Sequence, residues 1–424
     1  MTQFQTREQR GIYVHVLPTQ KYRFNTIVAT LIHELQEETA TGLAMLPYVL
    51  MRGSKQYPTP ERLQLALDDL YGASLSGTVD KKGERQVVDF TMDVPNEKFL
   101  STGEPLLQKA FGILSDIMLN PLVENDGFQQ QNVEAEKEQH KKRIRAVVDD
   151  KMQYARERCV SELAAGEPYS IPRLGFQEQV DTVSGQDLYK MYQDLLRTAP
   201  MHIYVVGDVD VDEVANLIFD TFDSKREPRS DFPEVRIEHE VQARKEVVDR
   251  LEVNQGKLNL GLWANVDYAS DDYLPMVVFN GIYGAFPHSK LFLNVREKHS
   301  LAYYATSVYD SLKGSIVVLA GVEFANFDKA LSIMEEQLEL IKQGEISDEE
   351  LSFTVKGLIN GTRTGMDSPT GLINMHVNGV VAGRIRPQEE TIAAIQKVTK
   401  EDVKRVAQGV QIATVYKLQN KEGK

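Results

Sequence analysis

The segment Ser289-Lys290-Leu291-Phe292-Leu293-Asn294-Val295-Arg296-Glu297-Lys298-His299-Ser300-Leu301-Ala302-Tyr303-Tyr304 decides the fold, because the pattern that continues from it has already occurred once in the chain. After Leu301-Ala302-Tyr303-Tyr304 come a polar turn at Gly314, a strand over 315–322 and a helix over 326–343. In the first half the same order runs through Leu70-Tyr71-Gly72-Ala73, a turn at Gly83, a strand and a helix. Late in each half it recurs: Val398-Thr399-Lys400-Glu401-Asp402 with a strand over 412–418 echoes Val183-Ser184-Gly185-Gln186-Asp187 with a strand over 202–206 closed by Gly207. Self-similarity on this scale means two like-built domains. Strands in hairpins with helices between them predict the α+β class, each domain a mostly antiparallel sheet with helices packed on one face.

The residues between the halves, 224–246, are polar and include Pro228 and Pro233, the composition of a linker. The expected organisation is therefore a domain over 1–223, a linker over 224–246 and a domain over 247–424. A chain of 424 residues is in any case too long for one core.

Composition narrows the function. With 42% hydrophobic and 26% charged residues the chain is an ordinary globular protein. Its net charge of -14 would repel nucleic acid and anionic lipid, so neither is an expected partner. The single cysteine, Cys159, rules out an internal disulfide and a Cys-rich zinc site. Following Arg156-Glu157-Arg158 in a helical run, it reads as a half-buried helix residue, not a nucleophile. No stretch approaches eighteen apolar residues and the first 26 lack a signal-type apolar core, so a soluble, cytoplasmic protein with no membrane insertion is expected.

In the first half, 11–17 and 26–32 read as strands, the second running into His33-Glu34-Leu35-Gln36-Glu37. That run falls one residue short of the zinc motif H-E-x-x-H, with Glu37 where the second histidine would stand, and a strand does not put positions four apart on one face. Residues 41–54, TGLAMLPYVLMRGS, read as a helix with Thr41 as N-cap and Leu43, Leu46, Val49 and Leu50 as its buried face. Pro47 inside it removes an N–H and clashes with the preceding turn, typically about 3 kcal/mol, and Gly53 is placed to close the helix. Thr59-Pro60-Glu61 opens a helix to residue 70, strands over 73–79 and 86–94 flank the turn 80–83, and a helix over 99–118 stops before Asn120-Pro121. Residues 128–165 read as one long charged helical region, with Lys141-Lys142-Arg143-Ile144-Arg145 on its solvated face.

With these residues in place, the sequence resembles the pitrilysin/insulinase-type zinc peptidases, in particular the short two-domain branch that includes the mitochondrial processing peptidase subunits. The resemblance runs from about residue 11 to 416 and is most specific at Ser289-Lys290-Leu291-Phe292, Val295-Arg296-Glu297-Lys298 and Ser300-Leu301-Ala302-Tyr303, similar to the family's S-x-L-F…L-R-E-K-x-G-L-A-Y. Pro168-Tyr169 with Gly175 downstream, and Val205-Val206-Gly207-Asp208, support it. The resemblance implies a clamshell half built from two such domains. It also implies an H-x-x-E-H zinc motif on the first-domain helix, ahead of a segment like Val49-Leu50-Met51-Arg52-Gly53-Ser54. Laid on that tail, Ala44 and Tyr48 stand where the histidine ligands belong and Pro47 where the general base belongs. The third ligand, a glutamate in the family's E-R-x-x-x-x-x-E-I, falls on Arg143 when Glu136-Lys137 is set on E-R, with Glu134 and Glu138 as alternative registers. Zinc needs imidazole and carboxylate donors at about 2.0 Å, which a methyl, a proline ring, a neutral phenol and a guanidinium do not supply.

The second-domain motif keeps its chemistry. In the resembling peptidases an arginine and a tyrosine seven residues apart contact the substrate backbone, and Arg296 and Tyr303 hold that spacing; the alternative is a salt-bridged helix residue and a strand core residue. The family's glycine-rich loop is reduced here to Gly281 and Gly284, and His288, Glu297 and His299 fall on different faces of a helix, so they form no substitute metal site. The resemblance therefore implies a chain with no catalytic residues and no metal of its own: a non-catalytic subunit that pairs with a paralogous zinc peptidase, as heterodimer or homodimer, and helps bind an extended peptide. Zinc is expected only in the catalytic partner. A stand-alone peptide clamp or assembly scaffold is the alternative, and an autonomous metallopeptidase a third.

Overall fold

The computed structural model describes residues 3–101, 103–222, 226–228 and 232–421. It divides into two units, the first made of Met1–Arg145 with Ile171–Pro233 and the second of Ala146–Ser170 with Glu234–Lys424. The first unit holds strands β1 (Gln5–Gln9), β2 (Ile12–Pro18), β3 (Phe24–Glu34), β4 (Ser74–Lys82), β5 (Arg85–Pro95) and β6 (Met201–Gly207). They form one sheet in the order β1-β2-β6-β3-β5-β4. The second unit holds β7 (Lys245–Leu251), β8 (Gly256–Trp263), β9 (Ala302–Asp310), β10 (Ser315–Val322) and β11 (Gln411–Asn420) in the order β9-β10-β8-β11-β7.

The two orders are the same topology: β4-β5-β3-β6-β2 in one unit runs as β9-β10-β8-β11-β7 in the other. Each sheet is antiparallel except for one parallel pair, β2 with β6 and β7 with β11. The hairpin turns correspond as well, with Gly83 at φ +57° and Gly314 at φ +65°, backbone that a side chain rarely adopts. The internal repeat read from the sequence is thus a repeat of structure.

In the first unit, alternate residues of the central strands, Ile27, Ala29 and Leu31 of β3 with Phe90 and Met92 of β5, build a core with helices α1 (Glu37–Leu50) and α3 (Leu106–Leu119). Helix α2 (Pro60–Asp68) begins as expected, its Thr59 side chain accepting from Arg62 N–H and Pro60 in the first turn. Each fully buried Leu, Ile or Phe contributes about 1.5–3 kcal/mol, and α1 buries ten of its fourteen residues.

Four local expectations are corrected. Helix α1 starts at Glu37, four residues before Thr41, which is buried inside it. The Thr41 hydroxyl donates to Gln179 Oε1 at 2.7 Å and accepts from Phe176 N–H at 3.0 Å, so a tertiary partner takes the side chain that capping would have used. Gly53 does not cap the helix; it adopts φ +153° where a Cβ would meet Pro58 O at 2.8 Å. The expected helix over 99–118 is a short 3₁₀ turn, Glu97–Phe99, then α3 from Leu106, with Pro105 at the break. The charged region over 128–165 is two helices, α4 (Gln130–Asp149) and α5 (Lys151–Leu163), because the Asp150 carboxylate turns to cap Met152 and Gln153 N–H.

That break lets α5 leave the first unit. Every residue of β8 and β10 is buried, so both faces of the second sheet need a cover. Leu258, Leu260, Val318 and Ala320 face a core with the helices Tyr273–Asn280 and Phe327–Gln343. Val317, Leu319, Tyr416 and Leu418 face the other way, onto Ala155 and Cys159 of α5. Helices therefore cover both faces of this sheet, not one. Arg158 of α5 and the hydroxyls of Tyr154 and Tyr416 converge on Asp249 at 2.9–3.2 Å. Burial pushes the Cys159 thiol far above its ordinary value, as suits an inert core residue.

The described part of 224–246 is held, not loose. In the second unit, Asn265 pairs with both His239 N–H and C=O at 3.0 Å, His239 stacks on Trp263 with centroids 3.6 Å apart, and its Nε2 meets Glu167 Oε1 at 2.9 Å. The buried Lys313 ammonium lies 2.6 Å from Glu167 Oε2 and donates to Arg236 O. Burial by itself would raise the Glu167 carboxyl, but Lys313 and His239 outweigh it and hold the group below its ordinary value.

Two outcomes follow. Gly175 sits at φ +69° with its absent Cβ 2.3 Å from Thr41 Oγ1, so Gly175→Ala should destabilise the first unit by about 2–4 kcal/mol, seen as a lower urea midpoint. For Glu167, a carboxyl held below the ordinary 4.5 gives stability that is complete above that pH and lost as pH falls through the folded value. Acid unfolding of Glu167→Gln should accordingly show a shallower dependence on pH below about 4.5 than that of the parent.

Candidate functional site

The face of α1 that carries Ala44 and Tyr48, one turn apart, meets α4 through charge. Glu136 of α4 is 2% exposed. Its Oε2 accepts from Arg52 Nε at 3.3 Å and Nη2 at 3.2 Å, just past the end of α1, and its Oε1 accepts from Arg143 Nη1 at 2.5 Å, two turns along α4. The Arg143 guanidinium carbon lies 3.7 Å from the centroid of the Tyr48 ring. A buried carboxylate, two guanidiniums and an aromatic face thus form one cluster, and the cation over the ring adds about 0.5–2 kcal/mol. Pro47 faces β4, where Gly77 makes room: a Cβ there would stand 3.0 Å from Pro47 Cβ. Ala44 is fully buried.

The structure therefore brings Tyr48 and Arg143 into contact, adds Glu136 and Arg52, and leaves Ala44 and Pro47 as packing residues. These residues do not fit a zinc ion. In the register that sets the third ligand on Arg143 that position carries a fixed positive charge, and in the alternative registers Glu134 and Glu138 are paired with Lys137 and Lys141. Among the described residues no three His, Cys, Asp or Glu side chains converge as metal ligands anywhere. His140, one turn from Glu136, is fully buried and bonds Leu174 O at 2.8 Å; burial lowers its pKa, with Arg143 and Arg173 adding to the effect, so it stays neutral. Residues 141–145, expected as a solvated face, are split, with Arg143 turned inward on Glu136.

In the second unit Arg296 lies on a π-helical turn, Phe292–Lys298, a rare geometry that is frequent at functional positions. Ser300 follows at φ +51°, and β9 then begins with a bulge: Ala302 pairs Val322 and Tyr304 pairs Gly321, leaving Tyr303 as the extra residue. The bulge turns Tyr303 out, 66% exposed, so it is no strand core residue. Arg296 stacks over Phe292 at 4.6 Å, and its nearest carboxylate, Glu297, is 3.6 Å away. Arg296 and Tyr303 line one open cleft of about 410 Å³ with Glu297, Ser300, Leu301, Ala302 and Glu323. Gly281 and Gly284, the remnant of the glycine-rich loop, are packed in a second π-helical turn, where a Cβ would strike Thr354 and Ser307 at 2.4–2.5 Å.

Two sheet-and-helix units of like topology, each a mostly antiparallel sheet packed with helices, define the class of chain. A family model described as the inactive domain of peptidase M16 matches residues 182–358. The "Probable inactive metalloprotease YmfF" of Bacillus subtilis (strain 168) is 38% identical over 413 residues, 97% of either chain. The chain belongs to the M16, or pitrilysin/insulinase-type, peptidase family, as an inactive-type homologue. A conserved protein from Enterococcus faecalis V583 has the same fold at a TM-score of 0.91 and 29% identity over 99% of both chains. An M16 inactive domain from Pseudomonas fluorescens matches at 0.81 and 15% over 98% of both. Among the described residues, no helix is long and apolar enough to cross a membrane.

Arg52 is the participant that the sequence did not reveal as one: it reads as the end of a helix, and its partner lies 84 residues away. The only available signal was a glutamate, Glu136, on what proves to be the buried side of a charged helix. Removing Arg143 should leave that carboxylate half-paired, so Arg143→Ala should lower the stability of the first unit by about 2 kcal/mol in urea unfolding, with Arg143→Lys recovering only part because it lacks the planar fork and the stack.

Proposed function

We propose that this chain is the non-catalytic subunit of a paired zinc peptidase: it binds extended peptide, and a paralogous partner supplies zinc, general base and water. The observation that carries the reading is the outward-turned Tyr303 beside Arg296 on a chain whose own metal positions hold no ligand. A guanidinium and a phenol can each donate to a peptide carbonyl or to an oxyanion developing on it. Tyr303 stands near the start of β9, an edge strand of its sheet, so a peptide added along that edge passes the two side chains. Among the described residues Arg296 has a 3.6 Å contact with Glu297 and the Phe292 ring beneath it, which leaves its donors for a ligand.

Co-expression with an intact H-x-x-E-H paralogue from the same genome should give a stable complex with zinc bound to the paralogue alone. In that complex Arg296→Ala and Tyr303→Phe should each lower kcat/KM by tenfold or more without dissociating the pair. Stoichiometric zinc on this chain, or peptide cleavage by it alone, would overturn the reading. A complex that never forms would favour a stand-alone clamp or scaffold, and full activity of both variants would remove the role given to Arg296 and Tyr303.

A further inference from the structure

The cluster that replaces the metal is itself a binding site in its chemistry. Arg52 and Arg143 bring two positive charges against the single negative charge of Glu136, so one positive charge is left over. Glu136 takes three N–H donors, Arg52 Nε and Nη2 and Arg143 Nη1. Each guanidinium has five, and the remaining donors have no hydrogen-bond partner among the described residues. Nor does the Tyr48 hydroxyl. The two guanidiniums are not sealed in: the Arg52 side chain is 29% and the Arg143 side chain 30% exposed, against 3% for the side chain of Glu136. Glu136 and the Tyr48 ring fix both cations in advance, so little ordering is left for a ligand to impose.

We propose that this position binds a carboxylate of a peptide, held by Arg52 and Arg143 with the Tyr48 hydroxyl at its edge. The residual charge of one matches a monoanion and undercompensates a dianion such as phosphate, and a planar two-oxygen group suits the guanidinium fork. Where the metal-bearing peptidases polarise a neutral peptide carbonyl, this chain would select a peptide by an anionic group. The carboxylate comes either from the C-terminus or from an acidic side chain, the same chemistry from two sources. The inference rests on the reading of the chain as a peptide binder and adds to it a preference that the cleft at Arg296 and Tyr303 does not supply.

The test uses the full chain and a fluorescein-labelled decapeptide of alanine, serine and leucine in three forms: free C-terminal acid, C-terminal amide, and C-terminal amide with one interior glutamate. Fluorescence anisotropy should show one of the two acidic forms binding about tenfold or more tighter than the neutral amide, and which one identifies the source. That advantage should shrink with added salt, and acetate should displace the peptide better than chloride at equal ionic strength. In Arg143→Gln, and separately in Arg52→Gln, the acidic and neutral forms should bind alike; should one variant fail to fold, judged by circular dichroism, the other bears the same expectation. Equal binding of all three forms by the parent chain overturns the carboxylate site and leaves the peptide-binding reading standing. Binding of none overturns both.

Discussion

A carboxylate that is 2% exposed cannot stand alone, and the first unit is arranged around the fact that Glu136 does not. Removing a carboxylate from water costs several kcal/mol after relaxation, and what offsets it here is a pair of guanidiniums from opposite sides, Arg52 at the end of α1 and Arg143 on α4. A metal ion would perform the same electrostatic task, with one difference. A bound dication keeps an open coordination position at which water can be acidified, whereas a guanidinium is a closed shell of donors with a permanent charge. The cluster therefore joins Arg52, past the end of α1, to α4 through charge, as a cation would.

The second unit reaches its exposed pair by backbone means. Three irregularities lie within twelve residues: the π-helical turn 292–298, Ser300 at positive φ and the bulge at Tyr303. Each is locally unfavourable, and together they do what regular structure would not, which is to bring an arginine from a helix and a tyrosine from a strand to one cleft with both side chains outward. Strain persists at a position only where its surroundings over-determine it, and here Leu301 and Ala302, the two residues before the turned-out ring, are buried.

The legibility of the chain follows the same division between local and distant causes. The repeat could be read because Gly83 and Gly314 mark equivalent turns and strand spacing follows from turns. Thr59 with Pro60 and Ser184 announce helix starts that the structure keeps. Thr41 looked like the same kind of signal and was not, since Phe176 and Gln179, more than 130 residues on, claim its hydroxyl. The passage of α5 to the second unit was hidden for a similar reason. Nothing local in 151–163 says that Ala155 and Cys159 will lie on Val317 and Tyr416, and only the double burial of β8 and β10 calls for such a cover. At the site, the positions of Ala44, Pro47, Tyr48 and Arg143 came from the resemblance, while the arrangement that fills them, with Arg52 on Glu136 and the ring under Arg143, became visible only in three dimensions.

Each of the four residues at these positions is also engaged in packing of its own. Ala44 is fully buried, Pro47 lies against the backbone gap at Gly77, Tyr48 is covered by Arg143, and Arg143 is committed to Glu136. A histidine at position 44 would meet a filled core, where added volume costs about 1–3 kcal/mol. A glutamate at 143 would face the carboxylate of Glu136 with one counter-charge removed. The residues at these positions thus hold the cluster in its present form through packing and charge. Two guanidiniums face one buried carboxylate there, and the carboxylate ligand proposed above would take up the charge that Glu136 leaves over.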